Sequence, residues 1–226
     1  MDFTTAQYCT SQSMNTIITA LKNIIHKYTS RSLNITHYHG DPEFDKSELR
    51  SFLEPALLHI YAKNEHIGNI EHSTCRIKER ARSTYNGTSY KRITMLMVRS
   101  LIEAIVESLN AFPSPTGISK TMSPSTIVEG KPKPNFGAKM ITYGSYALVH
   151  SGTSNDMKSR AIPAIALRKS NNDGGHYFMN KHTGRHIHGY HWTELPIDEY
   201  VISRVEKLAE DEKQPIMHNG VPCFEW

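Results

Sequence analysis

Two carboxylates stand where a protein could hold a divalent cation. Asp41 follows a segment predicted to be a strand, at the C-terminal end where open α/β sheets place their ligands. Glu71 begins a predicted helix. Carboxylate oxygens suit hard divalent cations, and a pair of such ions can hold both the attacking and the leaving oxygen of a phosphodiester. An aspartate in a turn and a glutamate at a helix start are also ordinary capping residues, so both interpretations stay open.

The predicted helix over residues 69–82 carries a basic face as well. Its apolar positions follow the spacing i, i+4, i+7, i+11 of one helical stripe: Ile70, Thr74, Ile77 and Ala81. Four cations share the segment: Arg76, Lys78, Arg80 and Arg82. This concentration of positive charge favours nucleic acid or another polyanion as a partner. An ordinary solvated helix face is the alternative interpretation.

Imidazoles near the C-terminus form a second group of candidate ligands: His176, His182, His186, His188 and His191. His186 and His188 share one face if their segment is a strand, so a zinc site is conceivable. The segment offers no Cys or Glu in register with them, which favours instead a polar sheet face that touches an anionic partner.

Composition limits the class of protein. The net charge of +4, from 26 Lys and Arg against 22 Asp and Glu, is mildly basic and agrees with a polyanionic partner. Three cysteines, far apart in the chain, support neither a disulfide framework nor a cysteine zinc site and indicate an intracellular compartment. No apolar run approaches the roughly 20 residues of a membrane span. Without a signal-peptide pattern, a nucleotide loop or a nucleophile motif, we expect neither a membrane partner nor a small-molecule cofactor.

The elements that must position these residues change in character along the chain. The first half predicts a helix capped by Ser13, a strand over residues 33–38, a short helix over 46–53 and a strand over 57–62, which together indicate an α/β layer with a parallel pair. A long apolar helix over 90–109 and a short helix capped by Ser123 follow. Beyond the Pro-rich segment 131–134, strands are predicted at 146–150, 161–168, 176–179 and 185–188, as in a small barrel or curled sheet, before a helix over 197–209.

Several short motifs, in this order, resemble the integrase region of copia-type LTR retrotransposon polyproteins. His-Gly-Asp-Pro-Glu-Phe at 39–44 is similar to the segment around that family's second catalytic Asp, and Gly-Asn-Ile-Glu at 68–71 with Ile-Lys-Glu-Arg-Ala-Arg at 77–82 is similar to the segment that carries its catalytic Glu. Leu-Asn-Ala-Phe-Pro at 109–113 with Ser-Pro at 123–124, Phe-Gly at 136–137, Tyr-Ala-Leu-Val-His at 146–150 and Thr-Gly-Arg at 183–185 resemble downstream motifs.

The resemblance implies an α/β fold: a partial RNase H-like integrase core over 1–112, a linker with a short helix over 113–135, a small β-barrel-like domain over 136–195, and a helix with a linker-like tail over 196–226. It implies that Asp41 and Glu71 are catalytic ligands of Mg²⁺, with Mn²⁺ as a substitute. Lys78 and Arg82 would hold DNA phosphates, flanked by Arg76 and Arg80. The activity would be DNA strand transfer in the nucleus.

The family's first catalytic Asp has no counterpart in a predicted strand, since Asp2 is the one upstream candidate. We therefore expect an integrase fragment that lacks the early strands, is inactive alone and associates with itself along an unpaired sheet edge. The alternative is a remnant that binds nucleic acid without catalysis.

Overall fold

The computed structural model describes residues 3–61, 68–113, 117–132, 140–150, 152, 157, 159–170 and 173–216. The chain forms two compact units, one of Met1–Cys75 with Val106–Lys133 and the other of Arg76–Ile105 with Pro134–Trp226. Helices and strands occur in both, so the protein is mixed α/β, as the sequence predicted. The predicted domain bounds run consecutively along the chain. Each observed unit instead combines two separate segments of the chain, and the predicted domain bounds stay a prediction.

The first unit combines helices with a two-stranded parallel sheet. Its elements are α1 (Met14–Thr29), β1 (His37–Gly40), a 3-10 turn (Pro42–Phe44), α2 (Ser47–Leu53), β2 (Leu57–Ile60) and α5 (Pro124–Glu129). The cap predicted for α1 is present, because Ser13 Oγ accepts a hydrogen bond from the Thr16 backbone N–H at 3.4 Å. β1 and β2 pair in parallel, with His37 opposite Leu57.

β1 begins at His37, whereas the predicted strand begins at Leu33. Leu33 completes the end of α1, whereas the Thr36 carbonyl already accepts a hydrogen bond from the Leu57 N–H of β2 at 3.0 Å. Ser32 adopts a left-handed conformation with φ of 57°, and the Leu33 N–H donates to the Tyr28 carbonyl at 3.1 Å. This arrangement closes the last turn of the helix in the manner of a C-terminal cap, so Leu33 is not available to a sheet.

Burial in the first unit is limited. Leu49 and Leu53 of α2 and Val128 of α5 are buried, but α1 contains no buried residue. Both strands alternate between exposed and half-buried positions, so one face of the sheet meets solvent. Within the described ranges this sheet has two strands. The RNase H-like arrangement implied by the resemblance therefore stays a prediction.

Two helices pass from one unit into the other: α3 (Gly68–Asn86) and α4 (Met95–Asn110). α4 begins at Met95 rather than at Tyr90, because the preceding residues make tertiary contacts. The Tyr90 hydroxyl donates to the Gly144 carbonyl at 2.9 Å, and the Lys91 N–H donates to Glu206 at 2.7 Å. Thr94 then caps the helix by accepting from the Met97 N–H at 3.3 Å.

A five-stranded antiparallel sheet forms the centre of the second unit. Its elements are β3 (Tyr146–His150), β4 (Ala161–Lys169), β5 (His176–Asn180), β6 (His186–Gly189) and β7 (Trp192–Leu195), followed by α6 (Glu199–Asp211). The strands lie in the order β6-β5-β4-β3-β7. The sequence predicted four of them and missed β7, in which two consecutive residues are exposed and interrupt the apolar–polar alternation. α6 begins after Asp198, which accepts a hydrogen bond from the Val201 N–H at 2.7 Å.

The sheet curls strongly. β6 and β7 are its two edge strands, yet they follow one another in the chain with Tyr190 and His191 between them. Three peptide units span about 11 Å at most, whereas the edges of a flat five-stranded sheet lie about 19 Å apart. The inner face confirms the curl, because a Cβ built on Gly189 of β6 would lie 2.4 Å from Val149 Cγ1 in β3.

The concave side of the sheet encloses one apolar core cluster of this unit. Its buried members are Ile141, Ala147, Val149, Ala164, Ala166, Phe178 and Trp192, with Ile187 packed against them. None of the helices within the described ranges is long and apolar enough to cross a membrane.

Candidate functional site

Asp41 lies immediately after the C-terminal end of β1, as the sequence predicted. Its backbone is extended, Pro42 begins the 3-10 turn, and its carbonyl accepts a hydrogen bond from the Phe44 N–H at 3.0 Å. Its side chain is exposed and makes no capping hydrogen bond to the turn. Because β1 and β2 are parallel, their C-terminal ends lie on the same side of the sheet, and Asp41 is at that side.

Glu71 lies in the first turn of α3 and is exposed. A carboxylate at this place is stabilised by the positive end of the helix dipole, whatever else it does. The segment 62–67, which joins β2 to α3, lies outside the described residues, and so does Asp2, the upstream candidate for a further carboxylate.

The described residues do not assemble a recognisable metal centre. No group of three or more His, Cys, Asp or Glu side chains in them is arranged to hold a metal ion. Asp41 and Glu71 both belong to the first unit, and neither is buried. Their role as ligands of Mg²⁺ or Mn²⁺ stays a prediction.

The basic residues of α3 lie in the second unit. Ala81 and Tyr85 are buried and mark the inward face of this half of the helix. Lys78, Arg80 and Arg82 are exposed and Arg76 is half-buried. At about 100° per residue, Arg76 with Arg80 and Lys78 with Arg82 form two rows, roughly 160° apart across the solvent side. We call these four residues the basic face of α3; its cations lie on both flanks of the exposed surface.

A stacked set of rings stands beside Asp41, and the sequence reasoning missed it. The rings of His37 and His39 in β1 lie 5.4 and 5.3 Å from that of His59 in β2. The Tyr61 hydroxyl lies 2.8 Å from His39 Nδ1. The signal in the sequence is His-x-His in one strand and His-x-Tyr in the next, since alternate residues share a face.

The C-terminal imidazoles do not gather at one place. His176 is buried on the inner side of the sheet, with its ring centre 4.9 Å from that of Trp192. His186 and His188 share one face of β6, as predicted, and this face is the outer one; His182 and His191 are exposed outside the strands. The described part of the chain contains no metal cluster that includes them.

Burial gives His176 an unusual titration. Removal from water is the main cause that lowers the pKa of this imidazole, to about 4, and the nearby Lys169 charge adds to the effect. Its contact with the neighbouring Arg168 backbone acts in the opposite direction. His176 is therefore a neutral core residue at pH 7.

Comparisons with known proteins show no family. No protein-family profile matches the chain, and no curated protein matches it. Among solved structures, a cryo-EM structure of the simian T-cell lymphotropic virus intasome in complex with the PP2A regulatory subunit B56 gamma is similar, with a TM-score of 0.38 and 12% identity over 86% of this chain and 71% of that one. Similarity at this level shows neither a common fold nor a common function.

Proposed function

We propose that the chain binds duplex DNA through the basic face of α3, as part of an integrase of the copia-type retrotransposon kind. The observation that carries the proposal is the row of cations on each flank of the exposed side of α3, with the helix held in the second unit by Ala81 and Tyr85. Integration into chromosomal DNA would take place in the nucleus.

The placement of the cations favours duplex DNA as the proposed partner. Phosphates follow both edges of a DNA groove, and a helix that lies in or across the groove meets them on two sides. Two rows of cations about 160° apart suit this geometry better than a single stripe would. Binding would depend on counterion release and would show little preference for sequence, because such contacts reach phosphates rather than base edges.

The integrase part of the proposal rests on the order of the sequence motifs and on Asp41. Hydrolysis or transfer of a phosphodiester is the reaction class that paired metal-bound carboxylates serve. Asp41 stands at the ligand-binding edge of a parallel sheet, which supports this class. The motifs supply two of the three catalytic carboxylates of that family, so we propose that the chain alone lacks the reaction and retains the binding.

Charge reversal tests the DNA contact. Four phosphate contacts predict a slope of about −3.6 for log K against log salt, and Lys78→Glu with Arg82→Glu should make binding weaker and the slope shallower by about 2. Fluorescence anisotropy of a short labelled duplex at several salt concentrations measures both.

Lys46→Glu with Lys120→Glu is the matched control, because these exposed lysines of the first unit give the same change in net charge. If both double variants lower affinity equally, the contact is with the whole charge of the chain and the assignment to α3 is wrong.

Metal-dependent cleavage is the second candidate activity, favoured by the place of Asp41 after β1. We expect the wild-type chain to leave supercoiled plasmid intact in Mg²⁺ or Mn²⁺, since a missing ligand commonly lowers such rates by several powers of ten. Agarose gels of nicked circles measure it. Nicking by the wild type that disappears in Asp41→Ala would show a working metal centre and contradict this expectation.

A further inference from the structure

A row of aromatic and cationic side chains crosses the outer face of the curled sheet. Arg168 in β4 pairs with Tyr177 in β5, which pairs with His188 in β6. The Arg168 guanidinium lies 4.7 Å from the Tyr177 ring centre, and the Tyr177 and His188 centres are 4.9 Å apart. Tyr190 extends the row at 4.8 Å from His188, and His186 lies 4.7 Å from Tyr177. We call these five residues the aromatic row.

The row lies on the convex side because strand residues alternate between faces. Phe178, Ile187 and Gly189 point into the concave core, so Tyr177, His186 and His188 point away from it.

Sheet stability explains only part of the row. Cross-strand pairs of aromatic side chains stabilise antiparallel sheets, and this accounts for Tyr177 and His188, which are half-buried. It does not account for Tyr190, which lies beyond the end of β6 and is 57% exposed. The exposed ring stands edge-on to His188 and continues a line of ring contacts to the surface, where a planar ligand can stack on its free face.

Two arginines, Arg168 and Arg99, place positive charge near His186 in the row. Burial and then the charge of Arg168 lower the pKa of His186, and Arg99 of α4 adds to the effect, while Glu103 opposes it. Glu103 also accepts a hydrogen bond from Arg168 Nε at 2.9 Å, which fixes the guanidinium over its neighbouring ring. Arg99 is exposed on α4.

We propose that the aromatic row is a binding site for single-stranded nucleic acid, in which unpaired bases stack on Tyr190 and His188 while Arg99 attracts the phosphates. Every base has a π-face, and stacking on an aromatic side chain contributes about 1–3 kcal/mol per base. Bases in a duplex are already stacked on one another, so the row favours single strands. This site shares no residue with the basic face of α3 and does not depend on it.

Substitution of Tyr190 tests the site in the full chain. The probe is labelled oligo-dT of about 12 nucleotides, within the range that such surfaces occupy. Tyr190→Ala should weaken binding of this oligonucleotide about 5- to 150-fold, while Tyr190→Phe, which keeps the ring, should bind as the wild type does. Binding of an oligo-dA·oligo-dT duplex of equal length should be unchanged by either substitution.

Tyr200→Ala is the matched control. Tyr200 belongs to α6, is 62% exposed, and has its ring against Lys181 rather than against a residue of the aromatic row. This variant should leave oligo-dT binding unchanged. Equal affinity of Tyr190→Ala and wild type for oligo-dT overturns the proposal, and so does an equal loss for single strand and duplex. The variant Lys78→Glu with Arg82→Glu should retain the effect of Tyr190→Ala, which separates failure at α3 from failure here.

Discussion

The sheets of the two units differ in how they are covered. In the first unit, β1 and β2 alternate between exposed and half-buried residues, and the neighbouring α1 has no buried residue. In the second unit, β4 has four consecutive buried residues, from Ala164 to Leu167, so both of its faces are covered. A parallel pair normally lies buried on both sides, and two strands alone are marginally stable. The antiparallel sheet has no such deficit.

The residues proposed for catalysis and those proposed for binding lie in units that differ in burial. Asp41 and Glu71 depend on the sparsely buried unit, whereas the basic face of α3 and the aromatic row belong to the densely packed one. Catalysis needs ligands fixed closely in place, but contacts with phosphates and bases tolerate more variation. We therefore expect binding to tolerate the sparse burial of the first unit better than catalysis would. Within the described residues the outer edges of β1 and β2 are unpaired, and we expect self-association there.

We expect the largest effect when one apolar side chain is removed from each unit and the losses of stability are compared. Phe178 is fully buried in the concave core, and Phe178→Ala should lower the unfolding free energy of the second unit by about 3–5 kcal/mol. Ile24 in α1 is half-buried, and Ile24→Ala should cost about 1 kcal/mol or less in the first unit. Native-state amide exchange, read separately for β5 and α1, measures both. Similar losses in the two units would contradict the comparison.

Acid should act on the second unit through His176. Its pKa is lowered to about 4 in the folded chain from an ordinary value of 6.5, so the unfolded state binds more protons between these pH values. We therefore expect the contribution of His176 to the free energy of unfolding to be fully present above pH 6.5 and to be lost as the pH falls to 4. The total loss should be about 3 kcal/mol.

Urea titrations at several pH values, followed by NMR signals of β5, measure the pH dependence. His176→Leu should remove this component of the slope, whatever it does to absolute stability. His191→Gln, at an exposed histidine, should leave the slope intact. A slope that persists in His176→Leu would assign the acid sensitivity to other groups.

Local patterns predicted most elements, and tertiary contacts explain the exceptions. Ser13 and Ser123 marked helix starts because side-chain caps act within three residues. The start of α4 was wrong by several residues, since Tyr90 and Lys91 bond to distant parts of the second unit. β7 was missed because Trp192 gains its partners from β3, which no local pattern reveals.

The candidate site was predicted in part for the same reason. Helical spacing predicted the inward position of Ala81, but the rest of the predicted apolar stripe of α3 is not buried: Ile77 is half-buried, and Ile70 and Thr74 are exposed. Local spacing could not show that Tyr177 and His188 lie in register with Arg168, because strand register is set by pairing between distant segments. The metal centre that the resemblance implies for Asp41 and Glu71 depends on three-dimensional assembly, and it stays a prediction.

The short link between β6 and β7 has a consequence for the curvature of the sheet. With Tyr190 and His191 alone between the edge strands, the length of the connection limits how far the sheet can open. Glycines inserted after His191 would relax this limit and let water reach Trp192, which is 5% exposed. In this protein, loop length therefore acts as a geometric constraint on hydration of the core.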